Sequence, residues 1–205
     1  LNMKRFWDPT RPTGDAVEVS KKLLIKLACL CEEFRFKNIS FREQGENRGS
    51  VTPVGSPNLS GSSYSQPNVP ASDSDDVDYE RLAKSEEFRR YCLAAAELQC
   101  VQLIGLAREE LLAFFVNIYN LLCLHALVVH GPPTYVWQRW NFFRRLSYRI
   151  AGLDMNLDDI EHGILRGNKR PPMFKFMQQL RPLDPKCQHI LSERDGRIHF
   201  VISAG

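Results

Sequence analysis

The fold is decided by one stretch of sequence, which reads LLAFFVNIYNLLCLHALVV at positions 111–129. Only the amides of Asn117 and Asn120 and the imidazole of His125 interrupt its apolar character. A membrane span of about 20 residues tolerates such groups poorly, because lipid cannot replace their hydration. The stretch therefore predicts a buried core helix over 107–130 and no transmembrane segment.

Further helices and one hairpin are predicted around this core helix. Gly131 and the two prolines after it end the core helix, because glycine suits the C-cap and proline cannot continue a helix. A hairpin is predicted around Gly152 and a strand over 197–203. Helical spacing predicts the remaining helices over 15–36, 79–101, 135–148, 157–166 and 186–191. The predicted fold class is α+β and predominantly helical, with packed helices and a small β-sheet or hairpin.

Composition divides the chain into three parts. Residues 1–42 form an N-terminal helical segment, and residues 43–77 are rich in Ser, Gly and Pro. That second stretch holds too little apolar surface to offset its ordering entropy, so it is predicted to be a disordered linker or a long loop insertion. Residues 78–205 form the third part, a domain. Because the chain ends directly after an apolar run, we expect this domain to be truncated at its C-terminus.

Charge and motifs limit the classes of function. The net charge of +3 does not require a nucleic-acid partner. The sequence has no glycine-rich phosphate loop, no H-E-x-x-H and no Cys pair at zinc spacing, so neither a cofactor nor a metal is predicted. The six cysteines form no C-x-x-C and mostly fall in helical apolar patterns. We expect them to be reduced and the protein to be cytoplasmic.

Asn117 and Asn120 are the first candidate site residues. At about 100° per residue they share one sector of the core helix. An amide on an apolar face is costly unless it is hydrogen-bonded, so each must have a partner. Either the two amides bond the backbone of a neighbouring loop, or they line a site and orient a catalytic group or a substrate carbonyl.

The second candidate group lies in 157–166. Ile160 and Ile164 form its predicted buried stripe, while polar residues, including His162, occupy the other side. A histidine held by carboxylates could act as a general base, but the same spacing is typical of a solvated helix face. His199, in the predicted strand, is either a satisfied core group or part of a site.

A third group is both aromatic and basic. Between positions 137 and 149, tryptophan and phenylalanine alternate with Arg139, Arg144 and Arg145. Such a segment could contact anionic lipid or stack on bases. More often it is a core helix whose arginines extend outward to solvent.

These motifs, in this order, resemble a known family. The run FFVNIYNLL at 114–122, the helix end HGPP at 130–133, LDDIEHGILR at 157–166 and RIHF at 197–200 are similar to the family catalogued as domain of unknown function 547. The resemblance covers about 78–205 and does not include the N-terminal helix or the linker. It implies that the domain often occurs beside glutaredoxin-like or DEP domains.

The family has no established activity, so the resemblance implies only a hypothetical site. Members typically continue into a segment with a Cys-Pro pair, and this chain stops before any such cysteine. The resemblance places Asn117, Tyr119, Asn120, Glu161, His162 and His199 in the polar framework of that site. The hypothetical catalytic residues are His162, His199, Asn117 and Asn120, and the hypothetical substrate-binding residues are Tyr119, Glu161 and Arg166.

Two functions therefore follow from the sequence. The chain is expected to be a regulatory or scaffolding module that binds an unidentified protein partner, with polar motifs that fasten loops to helices. Alternatively, it is part of a Cys/His thiol-dependent hydrolase or thiol-transfer enzyme whose cysteine lies beyond Gly205. In that case His162 or His199 is the base, and Asn117 or Asn120 orients it.

Overall fold

The architecture comes from a computed structural model. It describes residues 1–2, 14–35, 77–133, 135–169, 179–193 and 195–202. Six α-helices, one 3-10 helix after α3, one π-helix, a second 3-10 helix near the C-terminus and one two-stranded sheet make up this described part. The predicted class, α+β and predominantly helical, is confirmed.

The core is built on two long helices, α1 (Ala16–Glu33) and α4 (Arg108–His130), which pack against each other. Asp15 caps α1, since its carboxylate accepts a 2.9 Å hydrogen bond from the backbone N–H of Glu18. Gly131 ends α4 with a φ of 72°, which glycine adopts without strain. Both helix predictions are confirmed.

Length and apolar composition would let α4 cross a membrane, and no other helix in the described part meets that test. The core helix of a globular protein passes the same test, so this is weak evidence for a span. Ten residues of α4 are buried in the core, among them Phe114 and Phe115. α4 also packs against the short helix that follows Asp78 and against the π-helix, as the sequence predicts for a core helix.

The single helix predicted over 79–101 is wrong, because the chain breaks there twice. Helix α2 (Tyr79–Lys84) ends at Ser85, whose backbone is extended. The Ser85 hydroxyl then accepts a 3.1 Å hydrogen bond from the N–H of Phe88 and begins α3 (Glu86–Ala94). The 3-10 helix Ala95–Cys100 follows directly. A serine inside a helical pattern thus serves as a cap, since its hydroxyl replaces a backbone acceptor.

The predicted hairpin is confirmed. Strands β1 (Ser147–Ile150) and β2 (Leu153–Asn156) pair antiparallel, and Ala151 and Gly152 both have positive φ in the tight turn between them. The preceding helix α5 (Val136–Arg145) is shorter than the predicted 135–148. The helix prediction is wrong for 147–148, because these residues belong to β1 of the hairpin. Tyr148 of this strand is buried in the core.

The segment 157–166 is helical, but it contains the π-helix Asp159–Leu165. The N–H of Arg166 accordingly bonds the carbonyl of Glu161, five residues earlier. Gly163 packs so closely on Leu180 that an added Cβ would lie 2.8 Å from its side chain. Further along, the predicted helix at 186–191 is the 3-10 helix Pro185–His189.

The strand predicted over 197–203 is wrong. Residues Ile198–Val201 form a single helical turn, α6, closed by a hydrogen bond from the N–H of Ile202 to the carbonyl of Ile198. Ile198 and Ile202 are buried, whereas Phe200 is 90% exposed. Apolar residues four apart satisfy a helical turn as well as an alternating strand, and among the described residues no neighbouring strand supplies the hydrogen bonds that a β-strand needs here.

The described residues on either side of 36–76 lie next to each other. Arg35 and Val77 form an antiparallel bridge, and the N–H of Asp78 donates to the carbonyl of Phe34 at 2.9 Å. The predicted linker, apart from Val77, lies outside the described residues. The three-part division of the chain stays a prediction. In the described part, α1 shares one core with the helices of the third part.

Candidate functional site

A buried tyrosine and carboxylate lie where α4 meets the π-helix. The Tyr119 hydroxyl donates to Oε2 of Glu161 at 2.9 Å, and both residues are buried. Burial raises the pKa of the Tyr119 phenol well above its ordinary value, and the neighbouring acidic groups of Cys123 and Glu161 raise it further. The phenol is therefore a hydrogen-bond donor and not a base.

Arg166 extends this contact towards the surface. Its Nη2 donates to Oε1 of Glu161 at 2.5 Å and lies 3.3 Å from Nδ1 of His199 in α6. The side chains of Glu161 and Arg166 are 11% and 21% exposed, so the ion pair is mostly shielded from water. Tyr119, Glu161, Arg166 and His199 thus form a continuous polar chain from the core to the surface.

The end of the polar chain opens into a cleft. The cleft has a volume of about 300 Å³, and its described lining comes from the end of the π-helix, the turn at 195–196 and α6. Arginine carries donors only, so Nδ1 of His199 must accept from Arg166. In a neutral imidazole arranged in this way, Nε2 carries the hydrogen. His199 therefore presents an N–H donor at the cleft.

The two predicted amides lie at different places. Asn120 donates to the backbone carbonyl of Val201 at 2.8 Å and so joins α4 to α6, next to the polar chain. Asn117 donates instead to the Ser20 hydroxyl of α1 at 3.2 Å. The structure brings Asn120 beside His199 through α6 but places Asn117 in the contact between two core helices.

Within the described residues, His162 makes no hydrogen bond to the polar chain and does not line the cleft. It is half-buried, and within the described residues it makes no hydrogen bond to Asp158 or Arg166, the residues four positions away on either side. Asp158 instead contacts Nε of Arg144 at 3.2 Å. The expected solvated face of this helix is also wrong for Glu161, which is buried because the π-helix turns it towards Tyr119.

Comparison with known proteins gives one result. A family model described as a protein of unknown function, DUF547, matches residues 103–205. This chain belongs to the DUF547 family. All four residues of the polar chain lie within the DUF547 region. No curated protein and no solved structure matches the chain.

A second polar group in the DUF547 region was missed at the sequence level. Asp159, in the first turn of the π-helix, is 6% exposed and accepts from Nζ of Lys186 at 2.8 Å and from Gln179 at 3.0 Å. The ion pair joins the π-helix to the 3-10 helix Pro185–His189. The sequence offered no signal for it, because the acidic first turn of a helix is equally well explained by the helix dipole.

An enclosed network lies deeper in the core and crosses the family boundary. Tyr148 places its hydroxyl 2.6 Å from Nδ1 of His125 and 3.0 Å from the hydroxyl of Tyr91, while Nε2 of His125 lies 3.8 Å from the Cys92 sulfur. Each of these four residues is at most 2% exposed. We call Tyr91, Cys92, His125 and Tyr148 the enclosed network.

The cysteines are all free thiols. Burial raises the pKa of Cys31 to about 11 and that of Cys123 to about 12. Cys123 lies close to Glu161, whose charge further disfavours a thiolate. A thiol with a raised pKa is a weak nucleophile, so neither of these two cysteines suits thiol chemistry.

The described residues contain no group of three or more His, Cys, Asp or Glu side chains that could hold a metal ion. Of the three arginines proposed for lipid contact, Arg144 and Arg145 are exposed at the end of α5. The side chain of Arg139 lies outside the described residues.

Proposed function

We propose that this DUF547 domain is a regulatory or scaffolding module. The observation that carries the proposal is the use of its polar motif residues as fasteners between elements. Asn117 joins α4 to α1, Asn120 joins α4 to α6, and the polar chain joins α4, the π-helix and α6. Residues that lock elements together in this way give a domain one fixed surface for a partner.

The hydrogen bonding of His199 also supports the module. As a general base, His199 would need a free nitrogen lone pair facing the substrate. Its Nδ1 is engaged by Arg166, and its Nε2 then carries the hydrogen. Two buried thiols also support the module. The pKa values of Cys31 and Cys123 are raised, so these thiols are weak nucleophiles.

The alternative function is part of a Cys/His thiol-dependent hydrolase or thiol-transfer enzyme whose nucleophile lies beyond Gly205. One observation favours it: the polar chain ends in an open cleft at α6, close in sequence to the position where that cysteine would follow. In such an enzyme, Arg166 would have to release His199 before the imidazole could accept a proton from the thiol.

Thiol reactivity separates the two functions. Full-length protein would be treated with a limiting amount of a broad thiol-reactive probe, and labelling rates would be compared for wild type, His199→Phe and His162→Phe. For a module we expect slow labelling that neither substitution changes. Rapid labelling of one cysteine after Gly205 that His199→Phe abolishes and His162→Phe preserves would establish the enzyme instead.

The partner and the compartment belong to the same proposal. We propose a protein partner. We also propose a cytoplasmic location, which the free state of all six cysteines supports. Microscopy of a fluorescent fusion of the full-length protein tests the location.

Contact of Arg144 and Arg145 with anionic lipid is a weaker proposal, supported by their exposure. Co-sedimentation with phosphatidylserine vesicles, compared for wild type and an R144Q/R145Q variant, tests it.

A further inference from the structure

We propose that the cleft beside α6 is a binding site for an oxyanion, namely a carboxylate or a phosphate group. The site uses the guanidinium of Arg166 and the imidazole of His199, which end the polar chain at the cleft wall. Binding of an anion here does not depend on whether the domain is a module or an enzyme.

The first argument is the unused hydrogen-bonding capacity of Arg166. Its Nη2 serves both Glu161 and His199, while its Nε is buried and has no hydrogen-bond partner. A buried donor without an acceptor costs about 1–3 kcal/mol, so such groups are rare in native structures. The buried Nε shows that this guanidinium is incompletely paired. Its Nη1 is not buried and makes no hydrogen bond within the described residues, so it can donate to an oxyanion in the cleft, since arginine pairs readily with carboxylate and phosphate.

The second argument is the direction of the donor on His199. Because Nδ1 accepts from Arg166, the hydrogen of a neutral ring is on Nε2. His199 is exposed and lines the cleft, so this N–H is available to a ligand. The guanidinium of Arg166 and the imidazole of His199 both offer hydrogen-bond donors to the cleft. A ligand that accepts hydrogen bonds therefore fits these two donors.

Asp195 is the feature that opposes an anion in the cleft. Arg197 binds its carboxylate through Nε and Nη2 at 2.9 and 2.6 Å, and this contact lowers the pKa of Asp195 to about 2. The carboxylate is therefore charged at neutral pH. Its charge and that of Glu161 balance the charges of Arg197 and Arg166. We expect weak binding, in the millimolar range, set by hydrogen-bond geometry more than by net charge.

The experiment is a titration followed by backbone amide NMR shifts of Gly196, which lines the cleft without belonging to the donor pair. Inorganic phosphate and acetate are titrated separately into the chain at pH 7.5 and constant ionic strength, with sodium chloride as the reference salt. The expected result is a saturable shift for at least one of the two anions and none for chloride. The anion with the lower Kd shows whether the site prefers a tetrahedral or a planar group.

Three variants make the test decisive. His199→Phe removes an exposed donor and should weaken binding about tenfold, the effect of one good hydrogen bond to a charged group. His162→Phe, a histidine outside the polar chain, should leave the Kd unchanged. Asp195→Asn should tighten binding, because it removes the opposing charge. Shifts that do not saturate, or a Kd that His199→Phe leaves unchanged, would overturn the site whatever the thiol-labelling result is.

Discussion

The polar chain and the enclosed network are built from similar groups but differ in where they end. Each contains a histidine and at least one tyrosine whose hydroxyl is buried and hydrogen-bonded. The enclosed network has no residue more than 2% exposed. The polar chain begins with Tyr119 in the core and ends with His199 at an open cleft.

This difference teaches which polar groups can meet a ligand. Every hydrogen bond of the enclosed network is made inside the protein, so its contribution is to stability and to a single packing of the core. The polar chain also stabilises the fold at its buried end, around Glu161. Only its exposed end is free to exchange partners. The loss of folding stability caused by a substitution should therefore decrease along the polar chain, from Glu161 to His199.

The largest effect is expected for Glu161→Ala. This change leaves Tyr119 without its acceptor and Arg166 without its counter-ion in a mostly shielded site. We expect a loss of about 3 kcal/mol in the free energy of unfolding, measured by urea denaturation. The matched control is Asp158→Ala, whose partner Arg144 is 60% exposed, and which should cost only about 0.5 kcal/mol. Equal losses for the two variants would show that burial does not distinguish these ion pairs.

Tyr148→Phe should break the enclosed network at its centre. The hydroxyl of Tyr148 contacts both His125 and Tyr91, so its removal affects two buried polar groups at once. We expect a loss of about 2 kcal/mol in thermal or urea unfolding. Tyr91→Phe removes only the terminal hydroxyl and should cost about 1 kcal/mol. A larger loss for Tyr91→Phe than for Tyr148→Phe would contradict this order.

The pH dependence of stability should reveal the effect of a buried histidine outside the enclosed network, His189. Burial lowers the pKa of its imidazole below the ordinary 6.5. Below pH 6.5 the unfolded chain therefore binds a proton that the folded protein does not, and stability falls as the pH falls. We expect His189→Gln to lose less stability than wild type between pH 6.5 and 5.5, because the variant has no imidazole to protonate on unfolding. Urea midpoints at both pH values measure it, and parallel curves would exclude His189 as the source.

The smallest effect is expected for His199→Phe. His199 is exposed, and its contact with Arg166 is long at 3.3 Å. The free energy of unfolding should change by no more than about 0.5 kcal/mol. This variant can therefore separate binding from folding at the cleft. A loss as large as that of Glu161→Ala would show that the polar chain is structural along its whole length.

Several parts of the fold could be predicted from the sequence because their signals are local. Gly131 and the prolines after it terminate α4 within a few residues, and Gly152 closes the hairpin. The stripe of Ile160 and Ile164 identified the buried face of the following helix, and both are buried. α6 could not be predicted, because the spacing of Ile198 and Ile202 fits a strand and a helical turn equally well.

The sequence by itself determined the family, the helical character of the core and the set of polar residues that need partners. Only the tertiary structure decided which partners they have. Asn117 bonds Ser20 and Arg166 contacts His199, pairs separated by 97 and 33 residues along the chain. Periodicity describes one element at a time, whereas such contacts depend on how elements pack. For the same physical reason, residues that share one motif divide here between core contacts and the cleft.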